Sequence, residues 1–172
     1  MAAPRILVVY YSRSGTTRKV AQSLATELQC DTEEIVEGRS RSGMLGYLRS
    51  VIEARRRVPV PIALSVRDPS TYDLIVVGTP VWAWSVSSPV RGYMIANKAR
   101  FPALAFFCTL GGAGSDSAFA QMQDIAGKSP VACLAVTARD LASGSDRARL
   151  SAFVESLRQQ SATNRQSARG AA

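Results

Sequence analysis

The chain contains no histidine. Its absence removes the imidazole, the commonest physiological general base and metal ligand, from any mechanism open to the protein. Cysteine is nearly as scarce: Cys30, Cys108 and Cys133 lie far apart and without CxxC spacing. An odd count so placed argues against a disulfide framework or a zinc site. The expected state is buried, reduced thiol, with Cys108 and Cys133 inside apolar runs. No apolar run is long enough to cross a bilayer. The opening MAAPRILVVYYS has no small-residue cleavage site before Ser12, so no signal peptide is expected and the expected setting is cytoplasmic. Acidic residues number 13 against 21 basic ones, a net charge of +8. That excess invites a nucleic-acid reading. The arginines are scattered, however, and the only run, Arg55 to Arg57, closes a predicted helix, where positive charge suits the macrodipole. Without interleaved aromatics no specific nucleic-acid surface is expected, only non-specific attraction to anionic partners.

What is present is organised around Arg5 to Leu28. An apolar run from Ile6 to Tyr11 reads as a strand buried on both faces, followed by Ser12-Arg13-Ser14-Gly15-Thr16-Thr17. Val20, Leu24 and Leu28 then return at helical spacing, predicting a helix over Thr16–Gln29. A strand emptying through hydroxyls and a glycine into a helix start is a device for holding phosphate. The first helical N–H groups lack intrahelical partners, the helix end is partly positive, and glycine lets the backbone curl around an anion. Taken alone, the same residues are also ordinary helix caps. One glycine without GK[ST] excludes a Walker loop, and G-x-G-x-x-G is absent.

Asp31 to Val36 reads as a weak edge strand, Gly43 to Arg57 as a helix, and Val58-Pro59-Val60-Pro61-Ile62 as an extended connector. Leu74 to Gly78 and Ala103 to Thr109 are further buried strands, and Val131 to Thr137 is a fourth strong strand. Between them, Pro89 opens a helix carrying Val90, Tyr93 and Met94 inward. Ser115 or Asp116 caps another, with Phe119, Met122 and Ile125 inward. The last helix starts between Ser143 and Asp146 and carries Leu150, Phe153, Val154 and Leu157. One domain over residues 1–160 is expected, with a frayed tail over 161–172. Continuous apolar strands alternating with amphipathic helices predict an α/β fold: a three-layer, doubly wound, five-stranded parallel sheet of order 2-1-3-4-5. Ligands of such sheets sit beyond the carboxyl ends of the strands.

Three loops are expected there: Ser12–Thr17, Thr79–Ser85 and Thr109–Ser115. The second holds both tryptophans of a chain with 7% aromatic residues. Tryptophan in a loop either covers a flat aromatic ligand or folds back over the sheet edge. The third, Gly111-Gly112-Ala113-Gly114, allows close backbone approach to a ligand, or is simply a flexible turn.

With these residues in view the sequence resembles the flavodoxin family. Ser12-x-Ser14-Gly15-x-Thr17 matches its T/S-x-T/S-G-x-T phosphate loop. Thr79-Pro80-Val81-Trp82 with Ser88-Pro89-Val90-Arg91 is similar to a stretch of its short, single-domain bacterial branch. The resemblance runs from Arg5 to about Gln160. It implies non-covalent FMN, with the phosphate on Ser12, Arg13, Ser14, Gly15, Thr16 and Thr17. It places the isoalloxazine between Pro80, Val81, Trp82, Ala83 and Trp84 on one side and Thr109, Gly111, Gly112 and Gly114 on the other. It further implies a flavodoxin-like redox protein, either an electron carrier or an NAD(P)H-dependent reductase of quinone-like acceptors, as monomer or homodimer. No catalytic side chain and no metal is expected, because the cofactor carries the chemistry.

Two departures from the family pattern bear on that choice. The third loop has only glycines and Ala113 where flavodoxins often place a tyrosine over the outer flavin face. The +8 charge also contrasts with the acidity of electron-carrying flavodoxins and would repel basic docking patches. Two other classes of function share this fold. A signalling receiver needs acidic residues after the first strand and a phosphoacceptor Asp after the third; Tyr10-Tyr11-Ser12 and Thr109 supply neither. A binding module that has lost its cofactor stays open, because Ala83 stands at a common ring-loop glycine.

Overall fold

The computed structural model describes residues 3–36 and 66–170. The expected helix over 43–57 and connector over 58–62 lie outside the described residues. Within them the elements are β1 (Ile6–Tyr10), α1 (Thr16–Leu28), β2 (Asp31–Glu34), β3 (Leu74–Trp82), β4 (Ser85–Val86) and α2 (Ser88–Asn97). They continue as β5 (Ala103–Leu110), α3 (Ser115–Ala126), β6 (Cys133–Thr137), α4 (Ala138–Ser143) and α5 (Asp146–Gly170).

The parallel strands lie in the order β2-β1-β3-β5-β6. This is the expected 2-1-3-4-5 order; the short β4, which pairs antiparallel with β3 alone, adds one to the later numbers. Side chains of successive strand residues point to opposite faces. On β1, Leu7 and Val9 enter a layer with Val90, Tyr93 and Met94 of α2 and Met122 of α3. Ile6, Val8 and Tyr10 enter the other, with Val20 and Leu24 of α1 and Leu150, Phe153, Val154 and Leu157 of α5. Both faces are thus covered, which is why these strands read as unbroken apolar runs. Gly78 is required within β3: a Cβ there would lie 2.0 Å from the Phe107 ring on the neighbouring strand.

The structure departs from the sequence reading at several points. Neither Ser115 nor Asp116 caps α3; Gly114 does, at φ +109°. Cys108 is buried as expected, but Cys133 is exposed at the start of the edge strand β6. The helix α4 was not foreseen. It is closed by a reciprocal capping box in which Thr137 N–H and Oγ1 donate to Asp140 Oδ2 (2.8 Å each) while Asp140 N–H donates to Thr137 Oγ1 (3.1 Å). The last helix, α5, runs to Gly170. No helix among the described residues is long and apolar enough to cross a membrane. No cluster of His, Cys, Asp and Glu among them could hold a metal ion.

Candidate functional site

The chain leaves the sheet just after Tyr11, whose N–H still donates to Gly78 O (3.2 Å). Gly15 caps α1 at φ +92°. Nothing lies within 4 Å of a Cβ built there, so it is the left-handed backbone rather than crowding that calls for glycine. Ser12 Oγ accepts from Gly15 N–H (3.1 Å) and Arg18 N–H (3.2 Å), and Lys19 N–H donates to Gly15 O (3.0 Å). Between them, the amides of Thr16 and Thr17 have no acceptor among the described residues. They point out of the positive end of α1 beside the exposed hydroxyl pair Ser14 and Thr16 (3.4 Å). Amides and hydroxyls so arranged are able to cradle an anion. Arg18 is not part of the arrangement. Its guanidinium grips Glu34 through two bonds, Nη2 to Oε1 (2.6 Å) and Nε to Oε2 (2.9 Å). The Tyr10 hydroxyl donates to the same carboxylate (3.3 Å), and burial, then the Glu34 charge, pushes its phenol above the usual range.

The loop after β1 is tied to the third loop by one buried bond, Thr17 Oγ1 to Thr109 Oγ1 at 2.8 Å. One hydroxyl donates to the other, and the accepting one keeps its own O–H, so Thr17 can meet an anion through its N–H while Thr109 supports it from beneath.

The second loop is tighter than its sequence implied. β3 runs on through Trp82, turns at Ala83-Trp84 and returns as β4, pairing Val81 with Val86 and Trp82 with Ser85. Both turn residues are left-handed, at φ +48° and +57°. That is the backbone of a two-residue hairpin usually built from Asn-Gly. Side chains bearing Cβ cost about 1–2 kcal/mol each in that region. The two tryptophans part here. Trp82, 9% exposed, folds back into the core layer, edge-on to Tyr11 at 5.8 Å. Of the two expected platforms, only Trp84 presents an open ring, 64% exposed at the hairpin tip. Thr79 Oγ1 fastens the returning chain, accepting from Ser87 N–H (3.1 Å) and donating to Ser87 Oγ (3.0 Å).

The third loop meets the second at Gly114. A Cβ there would lie 2.9 Å from Trp84 Cδ1, 3.0 Å from Trp84 Cα and 3.2 Å from Val81 Cγ1. Gly111 and Gly112 are exposed with nothing within 4 Å of an added Cβ. Hydroxyl cradle, strained hairpin and glycine loop thus form one continuous edge at the carboxyl ends of β1, β3 and β5.

A family model described as flavodoxin matches residues 5–156. The chain belongs to the flavodoxin family. Solved structures share its fold. One is a flavoprotein of Lactobacillus acidophilus in complex with FMN (22% identity, 77% of this chain and 93% of that one, TM-score 0.69). Another is a flavodoxin of Streptococcus pneumoniae (14% identity, 90% and 98%, TM-score 0.59). A third is a flavodoxin from the domain Archaea (16% identity, 91% and 98%, TM-score 0.54). No curated protein sequence matches.

The edge of this flavodoxin-family chain suits a phosphorylated flat aromatic group. It has outward amides at a helix start, glycine where a Cβ would strain the cradle, and an exposed indole beside an open glycine stretch. Two residues outside the expected site hold that edge from below. Arg91 and Gln121 are each 7% exposed. Arg91 Nη2 donates to Gln121 Oε1 (2.6 Å), and Gln121 Nε2 donates to the Trp84 carbonyl (3.1 Å). Arg91 stands in the family-like Ser88-Pro89-Val90-Arg91 stretch. Nothing in the periodicity of α3 marks Gln121.

Proposed function

We propose that this chain is an FMN-binding redox protein, passing electrons as a carrier or reducing quinone-like acceptors with NAD(P)H as donor. One observation carries the reading: the Thr17–Thr109 bond and the Gly114–Trp84 contact join the anion cradle, the hairpin and the glycine loop into a single edge. When bound, FMN supplies the hydride and one-electron chemistry. The chain's own residues bind and orient it. Ser12, Arg13, Ser14, Gly15, Thr16 and Thr17 receive the phosphate, chiefly through the Thr16 and Thr17 amides and the Ser14 and Thr16 hydroxyls. Pro80, Val81, Ala83 and Trp84 border the ring on one side, with Trp82 bracing them from within. Gly111 and Gly112 border the other, supported by Thr109, while Gly114, packed against Trp84 and Val81, closes the two sides together.

Gly111 and Gly112 are exposed and carry no side chain, and Ala113 beside them is small and exposed. An open approach of this kind favours a small acceptor and hence the reductase form. A basic surface disfavours partners with basic docking patches, which argues against shuttling to them. The reading places a monomer or homodimer in the cytoplasm.

The test is the absorption spectrum of the purified protein, followed by titration with FMN under flavin fluorescence. A flavin spectrum, or quenching of added FMN at micromolar concentration, supports the site. Bleaching by NAD(P)H with turnover of a quinone then selects the reductase. A protein with neither flavin nor quenching would be a cofactor-free binding module, and the redox reading would fall.

A further inference from the structure

The Ala83-Trp84 turn holds two adjacent residues with Cβ atoms in the left-handed region. Such conformations persist only where their surroundings over-determine them. The surroundings here are specific. A guanidinium only donates hydrogen bonds. With Arg91 Nη2 2.6 Å away, the oxygen of the Gln121 amide must face it, and Ser85 Oγ donates to the same oxygen at 2.6 Å. The NH2 group is thereby turned the other way, onto the Trp84 carbonyl (3.1 Å) and Ser117 Oγ (3.1 Å). Each of these four bonds ends on the hairpin, on α2 or on the first turn of α3. A buried amide is tolerable because all of them are made.

We propose that Gln121, oriented by Arg91, is the positioning residue that locks the Ala83-Trp84 turn in its left-handed form and presents the Trp84 ring and turn backbone to the flavin. The last clause rests on the FMN reading above; the lock itself does not. Preorganisation of this kind raises affinity by removing the ordering cost from the binding step. It also explains how a turn lacking Asn-Gly is held.

Gln121→Glu separates the lock from general packing. The carboxylate keeps an oxygen for Arg91 and Ser85 but offers the Trp84 carbonyl another oxygen instead of an N–H. Amide hydrogen exchange in the protein without FMN should quicken by about tenfold at residues 83–86 while the sheet and the rest of α3 hold their protection. Added FMN should bind about tenfold more weakly. Placing Ala83→Asn in the same chain should return hairpin exchange most of the way, because asparagine adopts the left-handed region readily. If Gln121→Glu does not fold, Gln121→Met serves in its place; it also strips the acceptor from Arg91 and Ser85, so there the return of hairpin exchange on adding Ala83→Asn is the deciding readout. Unchanged hairpin exchange in the Gln121 variant would overturn the proposal. So would uniform loss of protection that Ala83→Asn leaves unrepaired. A parent protein that binds no FMN would end the flavin reading, and the hairpin exchange would still decide the lock.

Discussion

Thr17 and Thr109 share a hydrogen bond of 2.8 Å across 92 positions of sequence, both side chains buried, and through it the loop after β1 and the loop after β5 become one structure. Each hydroxyl is the other's partner at the floor of the site.

Replacing one of them should therefore cost more than replacing both. Thr17→Val keeps the shape but strands the Thr109 hydroxyl, and should lower stability by about 1–3 kcal/mol. Thr109→Val should do the same. The double variant should recover much of the loss, since two apolar groups of the same shape leave no orphan. Urea midpoints of the four proteins give the coupling directly; additive losses would mean that the hydroxyls do not depend on each other.

The glycines of the third loop should differ sharply among themselves. Gly114→Ala puts a Cβ 3.0 Å from the Trp84 backbone at φ +109°, and should destabilise by about 1–2 kcal/mol while shifting Trp84 emission. Gly111→Ala enters open space and should change stability by less than about 0.5 kcal/mol. Thermal unfolding with tryptophan fluorescence reads both effects. Equal effects at the two positions would contradict the close contact of hairpin and loop.

Thiol chemistry should follow burial. Desolvation pushes Cys108 up to about 12 and Cys30 up to about 11, whereas Cys133 is exposed at the sheet edge. A disulfide reagent at mildly alkaline pH should label Cys133 first, Cys30 more slowly, and Cys108 only once the protein unfolds. Peptide mass mapping over time assigns the order. Early native labelling of Cys108 would place β5 closer to solvent than the sheet allows.

Asp140 should make the start of α4 sensitive to acid. Its carboxylate accepts from Thr137 N–H and Oγ1 and faces Arg149, which hold its pKa below the ordinary value, the Thr137 backbone bond contributing most. A depressed folded pKa stabilises above the unfolded value of about 3.9 and loses that contribution as pH falls through the folded value. The stability gap between the parent and Asp140→Asn should thus be full at neutral pH and close in the acid range below about pH 4. Denaturation at a series of pH values measures it; a gap independent of pH would show that the charge is not what closes the box.

Much of this architecture is written in local pattern. The apolar runs of Ile6 to Tyr11, Leu74 to Gly78 and Ala103 to Thr109 alternate with helical spacing, and strands buried on both faces have few folds open to them. Gly15 among hydroxyls before Thr16 marked the left-handed cap and free amides at the start of α1, because that chemistry is contiguous in sequence. Tertiary structure decided the rest. Trp82 and Trp84 are indistinguishable as letters, and only the return of β4 against β3 sends one ring to Tyr11 and leaves the other in solvent. The cap at Gly114 rather than Ser115 follows from room that Trp84 requires, a contact from another loop. Arg91 and Gln121 lie 30 positions apart, with no pattern joining them. Local propensity and periodicity report which face of an element is buried. Which polar group meets which, under which turn, is set by the packing of distant segments.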